Sequence, residues 1–115
     1  MANTFVNKKA DLTSTSATTL YTVPTATTAV IKSILVSEDS GNADTITVTI
    51  TDTDDAVFSL FKTKAISANA TTELLSAPIV VQESEIVKVT AATANRLHVV
   101  LSAHEIKKRD VTTAT

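Results

Sequence analysis

From Thr45 to Thr51 the chain reads Thr-Ile-Thr-Val-Thr-Ile-Thr, an unbroken alternation of β-branched apolar and polar residues. A side-chain period of two sends Ile46, Val48 and Ile50 to one face and four threonines to the other. Branching at Cβ suits a pleated strand and costs rotamer freedom in a helix. The segment is therefore a strand with one face that needs a core and one that meets water or a neighbouring chain.

The rest of the composition agrees. Thr, Val and Ile supply 43 of the 115 residues, and the aromatic set is only Phe5, Tyr21, Phe58 and Phe61. An aliphatic core in an all-β domain is expected, at a length that suits one domain. With a single glycine, Gly41, turns that need positive φ must mostly use Asn, Asp or Ser; Asn42, Asn69 and Asn95 stand where such turns fall. Cysteine is absent, so disulfides, thiolate catalysis and cysteine metal sites are excluded together. No apolar run approaches the ~20 residues of a membrane span, and the opening Met1-Ala2-Asn3-Thr4-Phe5 has no signal-peptide core, so synthesis in a cytoplasm is expected. A net charge of −2 and the lack of aromatic platforms argue against nucleic acid as a partner.

Along the chain, residues 1–17 are polar apart from Phe5, Val6 and Leu12, and read as an extended N-terminal arm. Strands are expected at Leu20–Val23, ended by Pro24, and at Thr28–Ser37, where Ile31 and Leu35 blur the parity set by Ile34 and Val36. A loop covers 38–44. The Thr45–Thr51 strand turns through Asp52-Thr53-Asp54-Asp55 into Val57–Lys62, with Phe58 and Leu60 expected inward. Short strands follow at Glu73–Ser76 and, after Pro78, at Ile79–Val81. Ile86–Thr93 points Val87 and Val89 inward, and Leu97–Ile106 points Leu97, Val99, Leu101 and Ala103 to one side. Eight or so strands with regular turn signals make a single antiparallel β-sandwich, jelly-roll or Ig-like. The domain is bounded at 18–106, and 107–115, opening Lys107-Lys108-Arg109-Asp110, reads as a polar tail.

Candidate chemistry is thin. His98 and His104 are six residues apart on one strand, roughly 20 Å, too far to share a metal. Asp52-Thr53-Asp54-Asp55 begins like a calcium loop, but Ala56 stands where the next ligand belongs and no glycine follows. No nucleophile elbow or phosphate loop is present. The expectation is a non-enzymatic protein with no catalytic residues, no metal and no cofactor.

Ala17-Thr18-Thr19-Leu20-Tyr21-Thr22-Val23-Pro24, with Thr28–Ser37 after it, resembles small virion structural proteins of tailed bacteriophages; Ile86–Ala91, Leu97–Ser102 and the first five residues fit the same style. The resemblance spans most of residues 1–106. It implies a β-sandwich that assembles on the particle and performs no chemistry. The preferred role is a capsid decoration or cement protein on the head shell. The alternative is a tail, neck or fibre-base protein, and a non-viral β-sandwich binding module comes third. It further implies major capsid protein or other virion proteins as partners, a homo-oligomer with a trimer favoured, location in the virion, and no membrane. The arm supplies the candidate assembly contacts: Phe5, Val6 and Leu12 as apolar anchors, with Lys8 and Lys9 drawn to an acidic surface.

Overall fold

A computed structural model describes residues 2–108. It contains nine strands: β1 (Ala2–Asp11), β2 (Thr18–Thr22), β3 (Thr27–Glu38), β4 (Asp44–Thr51), β5 (Val57–Ile66), β6 (Thr71–Glu73), β7 (Ile79–Val81), β8 (Ile86–Ala91) and β9 (Leu97–Lys107). They form two antiparallel sheets. One has the order β1-β9-β3-β6, with β7 also on β3; the other is β2-β8-β4-β5. Apart from the β4–β5 hairpin, the chain passes between the sheets from one long strand to the next. If β6 and β7 count as one interrupted strand, this is the eight-strand order of a jelly roll. Of the two sandwich topologies left open by the sequence, this is the one adopted.

The Thr45–Thr51 alternation is realised as expected. Ile46 and Val48 are fully buried, opposite Ala91 and Val89 of β8, in one core cluster with Leu97, Val99 and Leu101 of the other sheet. The core is aliphatic, with Tyr21 its one aromatic side chain.

Residues 2–11 are extended but do not form a separate arm. They pair with β9 along their whole length, from Ala2 opposite Lys107 to Asp11 opposite His98. Val6 and Ala10 pack on the core, and Leu12 lies inside it at 1 % exposure. The sparse apolar residues are enough because an edge strand covers the core with one face only. At the other boundary, β9 continues to Lys107, and the Lys108 amide donates to the Ala26 carbonyl at 2.8 Å. The expected tail therefore begins later than 107; its residues 109–115 lie outside the described residues.

Bulges resolve the blurred parities. In β3, Ile31 faces Ala103 and Ser33 faces Ser102, so Lys32 is an extra residue. Before it Thr27, Ala29 and Ile31 are buried; after it Ile34, Val36 and Glu38 are. The strand keeps its core face by changing parity at Lys32. In β5 a bulge at Leu60 sets Phe61, not Leu60, opposite Val48. Phe61 packs on the core, while Phe58 and Leu60, expected inward, are exposed.

The strand expected at Glu73–Ser76 ends at Glu73 instead. The Glu73 carboxylate supplies the reason. It accepts from the Ile34 amide at 2.9 Å, the Leu75 amide at 3.2 Å and the Ser33 hydroxyl. A side chain thus takes the β3 donor that a continuing strand would have taken. Burial acts to raise the pKa of this carboxyl, and its hydrogen bonds, led by those from Ser33 and the Ile34 amide, outweigh it and hold it below its ordinary value. Among the described residues, positive φ occurs at Gly41 and at six others, including Asn69 and Asn95 as expected, while Gly41 rather than Asn42 turns its loop.

Candidate assembly surface

Register places the outward-facing side chains of the β1 sheet in rows. Phe5 lies opposite His104, His104 opposite Val30, and Val30 opposite Val80, one row across four strands. Phe5 is 76 % exposed and Val80 56 %. The Phe5 ring stacks on the His104 imidazole with centroids 4.7 Å apart. His104 Nε2 is buried and has no hydrogen-bond partner among the described residues. A second row runs from Lys9 through Val100 to the exposed Leu35. Lys32, thrown out by its bulge, lines a shallow depression with Phe5, Asn7 and Ser102. The face therefore combines exposed apolar side chains with Lys9 and Lys32, which have no ion-pair partner among the described residues, and the second row ends on Glu73 opposite Leu35.

The candidate contacts from the sequence divide accordingly. Phe5 and Lys9 face outward from β1 and are exposed. Val6 is half-buried against the core and Leu12 is inside it, so neither is a free anchor. Lys8 reaches towards the opposite sheet, its ammonium 5.9 Å from the centre of the Tyr21 ring. What the sequence reading missed is Val30, Val80 and Leu35. Each is a lone apolar residue on its own strand, and only pairing between distant strands joins them to Phe5.

The polar groups inside the molecule are structural. Tyr21 donates its hydroxyl to Glu105 Oε2 at 2.6 Å, joining the two sheets, and Lys107 Nζ lies 3.4 Å from Glu105 Oε1. Burial, then the Glu105 hydrogen bond and charge, raise the Tyr21 pKa well above its ordinary value. Glu38, buried at the end of β3, accepts from the Ser40 amide at 2.8 Å, the Gly41 amide at 3.1 Å, the Asn69 amide at 3.0 Å and the Ser40 hydroxyl. Burial works to raise its pKa, but these donors prevail and hold it down at about 2. Asp52 Oδ1 caps its own turn through the Asp54 and Ala56 amides, both at 2.9 Å. His98 sits between Asp11 (3.2 Å) and Asp39 (3.5 Å). Among the described residues no group of three or more His, Cys, Asp or Glu could hold a metal ion.

No family model matches the chain. No curated protein matches it either. Among solved structures, the chain is similar to a protein of the Bacillus endospore appendages, described as a novel family of disulfide-linked pili. The identity is 13 %, over 94 % of this chain and 92 % of that one, with a TM-score of 0.53. This likeness is one of fold. A looser alignment, 17 % identical over 90 % of this chain and 84 % of the other, reaches the capsid asymmetric unit of the cyanophage Pam1; at a TM-score of 0.41 it carries no argument.

Proposed function

We propose that this chain is a non-enzymatic structural subunit of a tailed-phage virion, and that it decorates the head shell through the outer face of the β1 sheet. The observation that carries the reading is the row Phe5–His104–Val30–Val80, which keeps two apolar side chains mostly in water on one sheet face. Such a row is a docking feature when many identical copies meet a repeated surface. Burying Phe5 and Val80 would contribute ~1.5–3 kcal/mol each. Lys9 and Lys32 beside the row favour an acidic partner surface, and their attraction weakens with salt. The sequence resemblance to small virion proteins points the same way. The jelly roll itself does not choose, since capsid proteins, lectins and enzymes share it.

The test uses particles assembled without this protein. Added protein is expected to co-sediment with them and to appear on the shell in low-resolution images. Phe5→Asp should bind far less while melting as the wild type does, because Phe5 is outside the core. Density at the neck or tail instead would favour the alternative virion role. Absence from every particle would remove the virion reading.

A further inference from the structure

We propose that the exposed edge of β5 is a two-fold contact surface for a second copy of this chain. Two of the four sheet edges are short and bounded by proline: β2 has five residues with Pro24 close behind, and β6 and β7 have three residues each with Pro78 between them. β1 is protected over its second half by Lys8 and Lys9, and its first half includes the polar Asn3 and Thr4. In β5 the second half is protected too, by Lys62, Lys64 and a kink at Thr63, whose φ is +48°. The first half, Val57-Phe58-Ser59-Leu60-Phe61, has no charge and no proline, and only the single bulge at Leu60 interrupts it. Val57 is 62 % exposed and Phe58 56 %. A cleft of about 290 Å3 between Leu60 and Ile79 extends the same apolar surface.

The charges identify the occupant. The segment is flanked by the acidic turn Asp52–Asp55 before it and by Lys62 and Lys64 after it. None of Asp54, Asp55, Lys62 and Lys64 has an ion-pair partner among the described residues. Laid antiparallel on a copy of itself and turned about Ser59, the segment sets Phe58 against the partner's Leu60 and Val57 against the partner's Phe61. The same rotation turns the acidic end of one copy, Asp54 and Asp55, towards the basic end of the other, Lys62 and Lys64. One surface is thus complementary to itself, with acidic, apolar and basic parts in series, which is what an isologous contact requires. The inference rests on β5 alone and not on the virion reading. The two surfaces lie on different sheets, so particle binding and self-association can fail separately.

The experiment is sedimentation equilibrium of the full chain at micromolar concentrations. A dimer is expected. Phe58→Asp should weaken it by at least about tenfold with its circular-dichroism melt unchanged; Val57→Lys serves the same purpose if that variant folds poorly. Asp54→Lys and Lys64→Asp should each weaken the dimer about two- to fivefold, the scale of an exposed pair, and the two together should restore it. A wild-type monomer, a trimer, a dimer indifferent to both apolar variants, or charge reversal without restoration would each overturn the proposal.

Discussion

At the scale of single residues, the side chains most sensitive to change lie inside the sandwich. Val48 is completely buried, and Thr49 is on the opposite face of the same strand. An unpaired carboxylate at Val48 costs several kcal/mol, against a total stability of ~5–15 kcal/mol. Val48→Asp is therefore expected to show no cooperative thermal transition and Thr49→Asp to retain one. Equal loss in both would mean that both faces of β4 are covered. Glu38 gives a pH signature. Its folded pKa of about 2 lies below the ordinary 4.5, so its contribution is complete above pH 4.5 and is lost as pH falls towards 2. Glu38→Gln should melt lower at neutral pH. The gap between wild type and variant should narrow through that acid window, as read by melts at a series of pH values. A constant gap would show that the charge on Glu38 is not what the Ser40, Gly41 and Asn69 donors hold.

At the scale of elements, the bulge at Lys32 and the β1 edge make two separable claims. Deleting Lys32 would join Ala29 and Ile31 to Ile34 and Val36 in one unbroken alternation on the core face, with Ile31 and Ser33 still opposite Ala103 and Ser102. That deletion should keep a cooperative thermal transition, whereas deleting Leu35, which is regularly paired, would turn Val36 and Glu38 to the outer face and should unfold the protein. Similar melts for both would place the parity change elsewhere. A chain starting at Thr18 loses β1 and Leu12, and it exposes the edge of β9 to water along its whole length. It should melt far below the intact chain or not fold at all. A truncated form with an unchanged melt would restore residues 1–17 to the status of a passive arm.

For the whole molecule, the defining property is the distance along the chain between partners. β1 pairs with β9, so residues 2–11 find theirs at 98–107, and β2 pairs with β8. Loop closure must come before most of the stabilising contacts, which makes such topologies slow. Refolding monitored by stopped-flow fluorescence of Tyr21 should take milliseconds to seconds. A microsecond phase carrying the full amplitude would contradict the β1–β9 closure as a required step.

Much of this architecture was legible in local order. The Thr45–Thr51 alternation, the Val87/Val89 and Leu97–Ala103 parities, and the turns at Asn69 and Asn95 follow from a period of two and from the need for positive φ in a chain with one glycine. These are nearest-neighbour properties, and the sequence by itself determines them. Three features were decided only in three dimensions. A bulge is a mismatch between two strands, so Ile31 and Leu35 could not reveal it, nor could Phe58, Leu60 and Phe61. An edge strand needs few apolar residues, so β1 read as an arm until β9 stood beside it. Surface rows join residues from strands far apart in sequence; Phe5, Val30 and Val80 meet because hydrogen-bond register aligns them, and no one-dimensional pattern records that register.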